Sequence, residues 1–144
     1  MKCDNLDIDK ISKIIVDEYR ENKRRIHGFG HRIHTSDPRT MRLFDIADNM
    51  KISGDHIALS KSIEIYLEKS LNKKLPINVD GAIAAIISDM GFDWKLGKAF
   101  FLIGRTVGLT AHVYEEQTKF KPMRKLFDIK CDYEGIEERN LPNL

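Results

Sequence analysis

A chain of 144 residues, 42% of them hydrophobic and 32% charged, has enough apolar material for one compact domain and too much for a disordered segment. A formal net charge of +2 gives no global bias toward nucleic acid or an anionic membrane, and Cys3 and Cys131, the two cysteines, exclude a disulfide scaffold or a thiolate metal cluster. The opening MKCDNLDIDK has no apolar signal region, and no run approaches the roughly 18 apolar residues of a membrane span, so a soluble, cytoplasmic protein is expected.

Residues 6–23 place Ile8, Ile11, Ile14, Ile15 and Tyr19 at helical spacing with charges on the other face, which predicts an amphipathic helix stopping before Gly28-Phe29-Gly30. Asp37-Pro38 supplies an N-cap and a proline at the first helical position. Met41, Phe44, Ala47 and Met50 then mark a second helix ending near Ser53-Gly54, and Asp55 opens a third that runs to Asn72-Lys73-Lys74. Pro76 makes residues 75–79 an extended link. Beyond Asp80, GAIAAIISDM is apolar almost all round and predicts a short buried helix closed by Gly91. Asp93 caps a last long segment whose interior carries Gly97, Gly104 and Gly108; glycine costs about 1 kcal/mol in a helix interior, so three of them imply close packing, a break or the approach of a ligand. From Phe120 the chain loses periodicity and turns acidic. The fold class is all-α.

The near-neutral total hides an asymmetry. Between Lys23 and Arg42 six basic residues face Asp37 alone, a local charge of +5 that leaves −3 for the rest of the chain. His27, His31 and His34 fall in the same window. A glycine-rich turn beside arginines can hold a carboxylate or phosphate, although a solvated basic face explains the cluster as well. The histidine spacing resembles a metal site, but the intervening glycines break the helix that would align the rings, so no metal is expected. Asp80 opens a helix and reads as an N-cap or as a rigidly held functional carboxylate. Arg105 and His112, seven residues apart, share one face of an apolar helix, where a buried Arg needs a structural carboxylate or an anionic ligand.

Three motifs in order, Gly28-Phe29-Gly30-His31-Arg32 with Asp37-Pro38-Arg39, then Asn78-Val79-Asp80-Gly81, then Gly104-Arg105-Thr106-Val107-Gly108, resemble the citrate synthase family. IHTSDPRT, LPINVDGAIAAI and GLTAHVYEEQ look most like its compact citryl-CoA lyase branch. The resemblance implies an all-α small domain over residues 28–119, a preceding helix within residues 1–27 that leads from a large domain, and an irregular tail over 120–144. It also implies the chemistry: joining an acyl-CoA, usually acetyl-CoA, to oxaloacetate, or cleaving citryl-CoA. His31 resembles the histidine that hydrogen-bonds the oxaloacetate carbonyl or citrate hydroxyl, and Asp80 the general base. Arg39 and Arg105 resemble the groups that hold substrate carboxylates, and Arg124 the arginine contributed across a dimer. Gly28, Phe29, Gly30, Arg32 and Asn78 match segments that cradle coenzyme A, with Arg24, Arg25, Lys73 and Lys74 as candidates for its phosphates.

The family's enolate-stabilising histidine belongs to a large-domain segment with no counterpart here. The resemblance therefore implies part of an enzyme, transferase or lyase, inactive without its other half and completed by a homo-oligomer or a separate large-domain chain. The alternative is a non-catalytic module that binds CoA or citrate. Neither nucleic acid nor membrane is an expected partner.

Overall fold

The computed structural model describes residues 7–121 together with 123, 135 and 137. Among the described residues five α-helices follow one another: α1 (Ile8–Glu21), α2 (Pro38–Asn49), α3 (Asp55–Leu71), α4 (Val79–Asp89) and α5 (Gly97–Lys119), the last preceded by a 3-10 turn at Trp94–Leu96. Among the described residues the only β-type pairing is a single antiparallel bridge between Phe29 and Ile77. The chain forms two units, Met1–Gly108 and Leu109–Leu144.

In the first unit α1 packs on α3, α3 on α4 and α4 on α2. Val16 of α1 lies buried against Ile63 and Leu67 of α3, with Phe29 and Ile26 alongside. Ser62 Oγ donates to Asp9 across the same pair of helices at 2.8 Å. A second cluster joins Phe44, Ala47, Ile57, Ile77, Ala82 and Ala85, where small alanines on α4 let its backbone approach its neighbours. Phe29 touches both clusters. The N-terminal helix thus shares a core with α3.

Helix ends fall where local hydrogen bonds, rather than glycines alone, stop them. The sequence placed the end of the first helix before Gly28; α1 stops at Glu21 because the Asn22 amide folds back to the Glu18 carbonyl at 2.9 Å and Lys23 turns left-handed at φ 52°. The second helix likewise ends at Asn49, ahead of Ser53, with Lys51 at φ 57°. Gly54 begins α3 and has no side chain to cap it. Asp89, from the end of α4, caps it instead, accepting from the backbone N–H groups of Gly54 at 2.8 Å, His56 at 2.9 Å and Ile57 at 3.1 Å.

The GFG loop lies against the extended link before α4. Gly30 N–H donates to the Pro76 carbonyl at 2.7 Å and Asn78 N–H to the Gly28 carbonyl at 3.0 Å. Gly28 has φ 87°, and a Cβ there would sit 2.8 Å from the Gly81 Cα; a Cβ on Gly81 would in turn strike the Gly28 carbonyl. Two backbones meet where side chains do not fit. Gly81→Ala is expected to cost about 2 kcal/mol by overpacking, measured as a lower midpoint in urea. An unchanged midpoint would mean that the loop does not press on α4.

Candidate functional site

The loop carries His31 away from the link and toward the start of α2. His31 Nδ1 faces the backbone N–H groups of Ile33, at 3.2 Å, and His34, at 3.0 Å. An imidazole nitrogen that accepts carries no proton, so the ring proton resides on Nε2. The 15N shifts of His31 are therefore expected to report the Nε2–H tautomer; an Nδ1–H pattern would overturn this assignment. Nε2 lies 3.4 Å from the Arg39 guanidinium, so a donor N–H and a cation stand side by side.

Arg39 is fixed from behind. Asp37 is buried with its side chain fully enclosed, and it accepts from Arg39 Nε at 2.9 Å and Nη2 at 2.8 Å. It also accepts from the backbone N–H of Arg39 at 3.0 Å, as the N-cap of α2, and from that of Val79 at 3.2 Å, at the start of α4. The side-chain bonds from Arg39, with the backbone donors, outweigh desolvation and bring the Asp37 carboxyl down to about 2. Arg39 is pushed above its ordinary value chiefly by Asp37, with Asp80 adding to the effect.

Asn78 is the N-cap of α4, where Asp80 had been read as one. Its side-chain oxygen accepts from the N–H groups of Asp80 at 3.0 Å and Gly81 at 3.2 Å, and its amide donates to the Gly30 carbonyl at 3.0 Å. Asn is a strong cap residue, and this one also fastens the GFG loop. Capping by Asn78 leaves the Asp80 carboxylate uninvolved in the cap, exposed in the first turn. Arg105 is a second correction: it is exposed, and its guanidinium lies 5.4 Å from the centre of the Phe101 ring. The expected buried arginine is absent because α5 has no buried residue along its length.

Three concavities meet these residues. A basic cleft of about 840 Å³ is bordered by Arg24, Arg25, Arg32, Lys73 and Lys74, with Phe29, Gly30 and His31 on its wall. A mainly apolar cavity of about 490 Å³ carries Arg39 and Arg105 on its lining. A hollow of about 460 Å³ holds Asp80 and shares Ile83 and Phe101 with that cavity. The 3.4 Å approach of His31 to Arg39 links the basic cleft to the apolar cavity. Most of the residues singled out in the sequence therefore gather in one region; Arg124 lies outside the described residues. Sequence reasoning missed Asp37 as the anchor of Arg39, for which the i, i+2 Asp-Pro-Arg spacing is the signal. It also missed Ile83 and Phe101, which look like core in a sequence.

An all-α module that brings His31 and Arg39 together near the start of α4, where Asp80 stands exposed, is the class that fold and site define. The chain belongs to the citrate synthase family: residues 3–126 match the profile "Citrate synthase, C-terminal domain". It is similar to the citryl-CoA lyase of Hydrogenobacter thermophilus, with 48% identity and a TM-score of 0.74 over 91% of this chain and 52% of that one. The citrate synthase of Thermotoga maritima MSB8 superposes with a TM-score of 0.64 at 26% identity, over 94% of this chain and 37% of that one. Among curated relatives, "Citrate synthase 2" of Bacillus subtilis is 31% identical over 121 residues, 83% of this chain and 32% of its own length. The 2-methylcitrate synthase of Shewanella oneidensis is also 31% identical, over 84% of this chain and 32% of its length. The chain thus spans about a third of those curated relatives. Among the described residues, no helix is long and apolar enough to cross a membrane.

Proposed function

We propose that this chain is the substrate-binding and proton-transferring part of an enzyme that forms or cleaves citryl-CoA, and that a second polypeptide segment completes it. The observation that carries this reading is the 3.4 Å pairing of His31 Nε2 with Arg39, beside a hollow that holds Asp80. A thioester α-proton is weakly acidic, so its removal needs a positioned base and stabilisation of the resulting charge. Asp80 is the base. His31 Nε2–H donates to the oxaloacetate carbonyl or citrate hydroxyl, and Arg39 and Arg105 hold carboxylates, which guanidinium groups pair with bidentately. Asp37 positions Arg39 and Asn78 positions Asp80. Coenzyme A lies in the basic cleft, its phosphates near Arg24, Arg25, Arg32, Lys73 and Lys74 and its pantetheine arm passing the GFG loop.

Two facts support completion by another segment. The chain matches 52% of the Hydrogenobacter enzyme and 32% of the Bacillus one, and α5 leaves Leu102, Ile103 and Val107 at 52%, 69% and 76% exposure. A helix apolar on several faces is ordinarily covered. A large-domain chain or an oligomer of this one would cover it and bring the enolate-stabilising histidine that the family resemblance implies. The test is citryl-CoA turnover by this chain, alone and mixed with a large-domain polypeptide. Turnover that arises on mixing and vanishes with Asp80→Asn supports the split enzyme. A mixture that stays inactive while CoA still binds in calorimetry favours the binding-module reading, for which the cleft alone suffices.

A further inference from the structure

Resting on the proposed site, we infer that Glu64 is the positioning residue that sets His31 and Asp80 relative to one another, by holding the backbone of Ile77. The extended link before α4 is the stretch of chain to which both are tied. On one side it carries the GFG loop, through the antiparallel bridge of Phe29 and Ile77. On the other it runs straight into α4, whose second residue is Asp80. Pro76 has no N–H to give, and the next three amides each go to a different element. Ile77 N–H donates to Glu64 Oε1 of α3 at 2.8 Å, Asn78 N–H to the Gly28 carbonyl at 3.0 Å, and Val79 N–H to Asp37 Oδ2 at 3.2 Å. The Ile77 carbonyl in turn accepts from Thr40 Oγ1 of α2 at 3.0 Å, one residue beyond Arg39.

Ile77 is thus gripped from α3 at its N–H and from α2 at its carbonyl. It is 3% exposed, so an amide freed there has no water to turn to. Asp37 and the Gly28 carbonyl already belong to the site. Glu64 does not: it borders none of the three concavities. Its carboxylate makes the stronger kind of hydrogen bond, and α3 packs on both α1 and α4, so Glu64 fastens the junction to the middle of the fold. Without it Ile77 shifts to find another acceptor, and Phe29 and Asn78 shift with it. A misplacement of about 1 Å at reacting groups costs up to about a hundredfold in rate.

The test is native-state hydrogen exchange on the full chain. In Glu64→Ala the amides of Gly30 and Asn78, which bond across the link, are expected to gain about tenfold to a hundredfold in exchange over that of Val16 in the α1–α3 core. Glu64→Gln keeps an acceptor of the same length and is expected to restore the parent's pattern; Glu64→Asp, a methylene shorter, is not. In the completed enzyme kcat for citryl-CoA is expected to follow the same order, about tenfold lower in Glu64→Ala and recovered in Glu64→Gln. Faster exchange shared equally by Val16, with kcat unchanged, makes Glu64 a stability contact and overturns the inference. If Glu64→Ala does not fold, the other two variants decide, and identical exchange at Gly30 and Asn78 in both overturns it. A wild-type mixture without turnover, beside a local exchange response, overturns the reading of the site and leaves the hold of Glu64 on the loop and α4 standing.

Discussion

Asp80→Asn is expected to lower the citryl-CoA turnover of the completed enzyme by about a thousandfold, within the 10²–10⁴ range of positioned general-base catalysis. The substitution is nearly isosteric at an exposed position. The backbone bond from residue 80 to Asn78 Oδ1, 3.0 Å long, does not involve the replaced side chain, so the fold is expected to melt as before. In the proposed mechanism what is lost is the acceptor for the α-proton of the thioester. Solvent deuterium exchange into the acyl group reads that step directly and is expected to fall in parallel with turnover, while KM for the thioester changes little. A variant within tenfold of the parent in both readouts would remove Asp80 from the role of base and leave the site a binding surface.

The fold was legible from periodicity because each helix needs an apolar stripe or an apolar all-round surface to be held in place. Asp55–Leu71 matches the segment marked by Asp55 and Asn72-Lys73-Lys74, and Val79–Asp89 begins one residue ahead of the Asp80 start. The stop of α2 was not legible, since it depends on left-handed Lys51, and lysine does not announce a stop; that of α1 carried a signal in Asn22, its C-cap. The cap of α4 was misplaced by two residues for a related reason: Asp80 and Asn78 are both good cap residues, and only the bond from Asn78 to the GFG loop decides between them.

The site was legible as residue types and not as geometry. Resemblance placed His31, Arg39 and Asp80 in one mechanism, but the reason they sit together is a backbone contact, the meeting of Gly28 and Gly81, which periodicity does not reveal. Arg105 shows the converse. Its sequence context is apolar, which reads as a buried face, yet α5 has no buried residue. Reading an apolar helix as buried presumes a partner within the same chain; here the residues that would cover Ile103 and Val107 are not among those that pack in this unit.

Asp37→Ala is expected to destabilise the fold by about 2 kcal/mol, because it removes an enclosed carboxylate from a half-exposed Arg39 and takes away a helix cap together. Arg39 loses both side-chain bonds, and the Val79 N–H at the head of α4 loses its acceptor. Asp37→Asn keeps an acceptor for the cap and is expected to cost less. The pH dependence follows from the depressed carboxyl. A group at about 2 in the folded chain and at its ordinary 3.8 when unfolded contributes fully above about pH 4, and that contribution fades as the pH falls through about 2. Wild-type stability should therefore drop by about 2 kcal/mol on this account over that window, a drop absent from Asp37→Ala. Urea midpoints between pH 2 and 5 check both claims. Parallel curves for the two proteins would show that Asp37 acts through packing alone. If the curves converge toward low pH, the charge on Asp37 is what holds Arg39 at His31.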